Sequence, residues 1–185
     1  MRLFTAIDIP KDLKIKLNDF VADLRDWKRA SARQLHITLL FLGECTDDER
    51  KKISNLLRSV SFKSFELTVD GFGVFPNRND PRILWAGINK TGALMELQSN
   101  ISETLQRYGS GTDFPDYIPH ITLARRKNGR GRDRNIEELI EKKGVQSSFR
   151  ANCFILKRSV LLPEGSHHET IETFSASKSA DQKPS

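Results

Sequence analysis

The sequence predicts an α+β fold built as two similar lobes around a shared groove. Two observations lead there. Segments that alternate apolar and polar residues, the period of a half-buried strand, are interleaved with segments whose apolar residues recur at helical spacing. One four-residue phrase also occurs twice, as His36-Ile37-Thr38-Leu39 and as His120-Ile121-Thr122-Leu123. Each copy closes a strand–helix–strand passage. Two such halves facing each other would bring the motif strands together.

The elements follow in order. Residues 2–9 read as a strand carrying Leu3, Phe4, Ala6, Ile7 and Ile9. Pro10 stops it and opens a helix, where a missing amide proton costs little. Leu13, Ile15, Leu17, Phe20, Val21 and Leu24 set that helix over 11–27. A polar connection, 28–34, leads to the first motif strand, 35–42, which Gly43 ends. Thr46 to Glu49 has capping-box spacing, so a helix starts there and runs to about Val60 on Ile53, Leu56, Leu57 and Val60. Strands over 65–72 and 82–89 flank a turn-rich passage from Phe75 to Pro81. A helix over 92–108 presents Leu94, Leu97, Ile101 and Leu105. A loop rich in Gly, Asp and Pro, 109–118, delivers the second motif strand, 119–125. A short helix, 134–143, precedes one long strand or two over 148–162, a turn at Pro163-Glu164-Gly165 and a final strand, 169–175. Residues 1–175 thus form one domain, and the small, polar stretch 176–185 reads as a disordered tail.

Composition narrows the class. The 185 residues carry a net charge of +6, which favours an anionic partner, nucleic acid first, although mildly basic soluble proteins are common. Cys45 and Cys153 suggest free thiols rather than a disulfide framework. The N-terminus does not read as a signal peptide, and no apolar run nears the roughly 20 residues that span a bilayer. A soluble, cytoplasmic protein without a membrane partner is expected, and a monomer.

On a strand, His36 and Thr38 share one side while Ile37 and Leu39 face a core; the second copy repeats this. Three chemistries compete for such a pair. Metal binding lacks ligands, since there are only four histidines and no Cys, Asp or Glu cluster beside them. A threonine nucleophile has no reason to be duplicated. Paired acid–base catalysis on a phosphodiester suits two imidazoles, one taking and one giving a proton near neutral pH, with no cofactor. Thr38 and Thr122 hydroxyls then donate to phosphate oxygens, and a nearby arginine adds a charged contact. A lone His-x-Thr would be unremarked surface or core; the duplication singles it out.

These residues resemble the two-histidine phosphoesterases, in particular the LigT-like bacterial and archaeal RNA 2′,3′-cyclic phosphodiesterases, also called 2′-5′ RNA ligases. The likeness spans about residues 1–175. It is carried by Arg2-Leu3-Phe4-Thr5-Ala6-Ile7-Asp8, His36-Ile37-Thr38-Leu39-Leu40-Phe41-Leu42-Gly43-Glu44, Gly73-Val74-Phe75-Pro76, Pro81-Arg82-Ile83-Leu84-Trp85-Ala86-Gly87, His120-Ile121-Thr122-Leu123-Ala124-Arg125 and Ser159-Val160-Leu161-Leu162-Pro163-Glu164-Gly165.

The resemblance implies a bilobal fold of pseudo-symmetric antiparallel lobes with helices packed outside and the site between them. It implies metal-independent hydrolysis of an RNA 2′,3′-cyclic phosphate end, tRNA fragments among the substrates, leaving a 2′-phosphate. His36 would protonate O3′ and His120 would activate water. Thr38, Thr122 and Arg125 would hold the phosphate, and Phe41 would stack near the terminal base. The alternatives are 2′-5′ ligation at the same site and a non-catalytic nucleotide- or RNA-binding module.

Strict alternation argues against two of these placements. Phe41 and Arg125 each lie five residues after their histidine, which puts them on the opposite strand face. Arg82 matches a recurrent family position. Arg126 belongs to a run, Arg125 to Arg134, with six basic residues in ten, and both arginines are further candidates for touching substrate. That run reads equally as an RNA-backbone patch or a solvated loop. Trp85 fits a core role. Family members often carry Tyr where this chain has His167-His168-Glu169; His168 either substitutes there as a polar flat ring or is exposed, and turn composition favours exposure.

Overall fold

The computed structural model describes residues 1–108, 117–142, 144–162 and 165–177. Most of the 109–118 loop, the Pro163-Glu164 turn and most of the tail lie outside the described residues. Nine strands form one antiparallel sheet: β1 (Arg2–Asp8), β2 (Trp27–Arg29), β3 (His36–Glu44), β4 (Phe65–Phe75), β5 (Ile83–Ile88), β6 (His120–Arg126), β7 (Ser148–Ala151), β8 (Cys153–Leu162) and β9 (Gly165–Ser175). Their order is β7-β4-β5-β6-β3-β1-β8-β9, with β2 pairing β6. Among the described residues four helices accompany them: α1 (Lys11–Phe20), α2 (Asp47–Leu57), α3 (Gly92–Thr104) and α4 (Arg134–Glu141). The strands make one continuous sheet in which β3 and β6 meet through a single residue pair, Ile37 opposite Ile121.

The helices gather on one face of this sheet. Leu13 and Leu17 of α1, Ile53 and Leu57 of α2, Leu94, Leu97 and Ile101 of α3, and Ile136 of α4 share a core with Ile37, Leu39, Ile121 and Leu123. Burying that stripe stabilises each short helix far more than its propensity does. Caps fix three starts: Thr46 accepts from the Glu49 amide while Glu49 reaches back, Thr91 accepts from the Leu94 amide, and Asp133 accepts from the Ile136 amide. The alternate residues of β3 and β6 therefore face the other way, into the space above the sheet.

Three elements differ from the sequence expectation, and a fourth, 148–162, takes the second of its two expected forms. The first helix stops at Phe20, because Trp27 is drawn into the core as a strand residue, 3% exposed, with its indole N–H on Asp133 at 3.0 Å. The polar connection contains β2 and a 3-10 turn, Ala32–Gln34, closed by a Ser31–Gln34 capping box. The 148–162 stretch resolves into two strands, β7 and β8. The final strand begins at Gly165 rather than 169, since the β8–β9 pairing continues to Leu162 opposite Gly165. His167 and His168 are consequently strand residues, opposite Val160 and Ser159. The long strand β4 needs glycine at Gly73, because the Trp85 ring lies where a β-carbon would be.

Candidate active site

Antiparallel register organises the motifs. With Ile37 opposite Ile121, one step each way sets His36 opposite Thr122 and Thr38 opposite His120. Each imidazole thus faces the other strand's threonine. A groove of about 760 Å³ opens there, lined by His36, Thr38, His120 and Thr122. Tyr117, just before β6, ties the two strands by donating its hydroxyl proton to the Thr38 carbonyl at 2.9 Å. Burial pushes that phenol's pKa up, so it stays a donor.

Phe41 and Arg125 also line the groove, against strict alternation. The reason is a β-bulge in each motif strand. On β3, Ala6 pairs Thr38 and the next residue, Thr5, pairs Leu40, leaving Leu39 extra. On β6, Trp85 pairs Thr122 and Leu84 pairs Ala124, leaving Leu123 extra. Two consecutive residues point into the core at each bulge, Leu39-Leu40 and Leu123-Ala124, and parity flips beyond them. The bulge occupies the same place in both copies. Phe41, 56% exposed, and Arg125 are thereby returned to the groove side.

Arg82 and Arg126 are placed elsewhere. Arg82 pairs with Asp80 at 2.9 Å and donates to the Gly129 carbonyl; Arg126 faces Asp80 and Asp133 and donates to the Gly131 carbonyl. Both brace the 129–131 loop, and neither lines the groove. Arg132 pairs with Glu137 at 2.7 Å.

The two histidines sit in unlike surroundings. The Nδ1 of His120 lies 2.7 Å from the Ile118 carbonyl. A carbonyl only accepts, so Nδ1 carries the proton and Nε2 of the neutral ring keeps its lone pair. Phe75 meets His120 edge-on at 5.1 Å, with Trp85 behind at 6.1 Å. Burial, then the Arg125 charge, lower the His120 pKa, while the Ile118 bond opposes them. His36 is only 9% exposed and stacks on Phe4 at 5.0 Å. The Gln34 carbonyl, two residues back like Ile118, favours its charged form, but Nδ1 is buried without a hydrogen-bond partner. Burial, then His168, Lys157 and Lys14, lower the His36 pKa to about 3.

Four of these neighbours carried weak sequence signals. His168 packs edge-on to both His36, at 5.2 Å, and Phe4, at 5.0 Å, and lines the groove rather than an exposed turn. Its register on β8, and that of β8 on β1, bring it there. Lys157, 4% exposed, was legible only as one lysine in an apolar run. Phe4 read as an apolar member of the first strand, and Phe75 as the start of a turn-rich passage. Among the described residues, no three His, Cys, Asp or Glu side chains gather as a metal-ligand set, and both cysteines are free. No described helix is long and apolar enough to cross a membrane.

Comparison with known proteins places this geometry. A family model described as LigT like Phosphoesterase matches residues 7–85. An Archaeoglobus fulgidus protein named RNA 2′,3′-cyclic phosphodiesterase is 31% identical over 94% of this chain and 99% of its own length. A Methanocaldococcus jannaschii protein of the same name is 34% identical over 93% of this chain and 99% of its own. A crystal structure of a Thermus thermophilus protein superposes with a TM-score of 0.77 at 29% identity, covering 95% of this chain and 97% of that one.

Proposed function

The chain belongs to the LigT-like phosphoesterase family, and from that premise we propose that it hydrolyses the 2′,3′-cyclic phosphate end of RNA to a 2′-phosphate, with paired histidines and no metal. The observation that carries the reading is the His120 tautomer: Nδ1–H is committed to Ile118, so Nε2 is an available base. His120 removes a proton from water as it attacks phosphorus. The P–O3′ bond breaks, and His36 gives its proton to O3′. The product keeps its P–O2′ bond and a free 3′-hydroxyl. Thr38, Thr122 and Arg125 donate to the phosphate oxygens, whose charge is redistributed in the transition state. Phe41, at the exposed rim, offers a face to the terminal base.

His36 needs its proton before it can give it. With a pKa lowered to about 3, it is neutral in the free protein at pH 7. A bound phosphodiester anion beside it raises that pKa, so substrate binding loads the acid. This split is the one the resemblance implies, and substrate loading is the physical account offered for it.

The test is an RNA of defined sequence ending in a 2′,3′-cyclic phosphate, incubated with and without excess EDTA and with a 5′-hydroxyl RNA in one arm. Chromatography against 2′- and 3′-phosphate standards identifies the product. A 2′-phosphate formed equally with EDTA supports the reading. A 3′-phosphate product, or turnover abolished by EDTA, overturns it.

A further inference from the structure

A second hollow of about 690 Å³ adjoins the catalytic groove. It includes Lys28, Arg29, Gln34 and Ser166, which also line the groove, so the two spaces meet at these residues. Lys127 and His167 lie on its own side. Among the described residues, no aspartate or glutamate lines either space, although the chain has 24 of them. The floor between them is built: Gln34 Nε2 donates to the Ser166 carbonyl at 2.6 Å while its Oε1 accepts from the Ser31 amide at 2.7 Å. Lys28 pairs across the sheet with Arg125, which sets their side chains on the same face.

Resting on the function proposed above, we propose that this hollow holds the phosphodiester backbone of the RNA strand that leads to the reacting end. A cyclic mononucleotide would fill only the groove. A longer RNA would continue past Arg125 into the hollow that Lys28, Arg29 and Lys127 line. Lys28, Arg29 and Lys127 stand in a channel that begins at the phosphate-handling residues and that no acidic side chain lines among the described residues, which is what a polyanion requires and a neutral ligand does not. The enzyme is therefore an oligonucleotide-selective one. Its selectivity is electrostatic and indifferent to sequence.

Three phosphate contacts on a single strand give a log–log salt slope of about −2, so affinity falls roughly 20-fold between 50 and 200 mM salt. The experiment compares a cyclic mononucleotide with a ten-residue RNA ending in the cyclic phosphate. It reads kcat/KM across that salt range for the wild type, Arg29→Ala, Lys127→Ala and Lys127→Arg. A parallel anisotropy titration uses a fluorescent RNA of the same length. The expected result is a steep salt dependence for the RNA alone. Each alanine variant should flatten its slope by about 0.7 and lower the RNA-to-mononucleotide ratio, and Lys127→Arg should restore it. A ratio unaffected by salt and by both alanine variants overturns the channel and leaves the proposed reaction standing. If neither substrate turns over, the reaction fails, and the titration still decides the channel: unchanged RNA affinity in the variants overturns it. Melting curves confirm that each variant is folded.

Discussion

The buried imidazole of His36 makes the protein's acid stability calculable. Its pKa is lowered to about 3, first by burial and then by His168, Lys157 and Lys14, whereas an unfolded histidine titrates near 6.5. The unfolded chain therefore takes up a proton as pH falls below about 6.5, while the folded chain does not. His36 contributes stability that is fully present above about pH 6.5 and is lost progressively as pH falls towards 3. Between pH 7 and 5 the loss depends only on the unfolded value, provided the folded one stays below about 4, and comes to about 2 kcal/mol. For a chain of this size that is a fall in melting temperature of about 4–8 °C. The variant His36→Gln cannot titrate there. Carboxylates and the other histidines contribute to both proteins and cancel in the difference. Urea unfolding at pH 7 and pH 5 should show the wild type losing about 2 kcal/mol more than the variant. Parallel losses in the two proteins would mean that His36 titrates normally, and that its burial in this structure has no electrostatic consequence.

Other expectations follow from the same contacts. Replacing His36 or His120 by Ala should each cut turnover by about 10²- to 10⁴-fold with the fold retained, read by steady-state kinetics and circular dichroism; retained turnover in either would remove that residue from the chemistry. Calorimetry of His120→Ala with a cyclic mononucleotide, in buffers of different ionisation enthalpy, should reveal uptake of about one proton at pH 6–7 as His36 is loaded; no uptake would leave His36 without a proton to give. Lys157→Met removes one of the charges that depress His36 and His168, so both should titrate closer to 6.5 by NMR. Tyr117→Phe deletes the bond to the Thr38 carbonyl and should cost about 1 kcal/mol in unfolding free energy, with a larger effect on kcat than on KM if Thr38 is displaced.

Much of the architecture was legible because it follows from local pattern. Helical stripes such as Leu94, Leu97 and Ile101, the Thr46–Glu49 cap and the duplicated His-x-Thr strands all declare themselves within a few residues. What was illegible depended on pairing between distant strands. An extra residue at Leu39 or Leu123 is visible only against Ala6 and Thr5, or Trp85 and Leu84, on a neighbouring strand. Alternation alone therefore sent Phe41 and Arg125 to the wrong face. His168 was misplaced for a related reason, since its turn-like composition gave way to a hairpin register running from Cys153 to Leu162. Arg82 and Arg126 are the converse case. Their charge was evident in the sequence, and Asp80 stands only two residues before Arg82, but the Gly129 carbonyl that Arg82 reaches and the Asp80 and Asp133 carboxylates that face Arg126 become neighbours only through the fold.

The bulges are the symmetric part of a repeated phrase whose two histidines sit in unlike surroundings. Symmetry at the backbone is close: each histidine stands two residues before its threonine, each strand bulges immediately beyond, and a large or charged side chain is re-aimed into the groove. The environments beyond the phrase break that symmetry. His120 has a main-chain carbonyl holding its Nδ1–H, and its ring borders Phe75 and Trp85. His36 has Phe4 beneath it, His168 at its edge and the buried Lys157 nearby, and its Nδ1 is unpartnered. On the proposed reading, the acid and base assignments reside not in His-x-Thr itself but in β1, β8 and β9 for one ring, and in β4, β5 and the segment before β6 for the other. On that reading a neutral His36 surrounded by cationic and titratable groups is a poor acid until an anion arrives; once loaded, the same neighbours would make it a strong proton donor to O3′, and the substrate's own charge completes the pair.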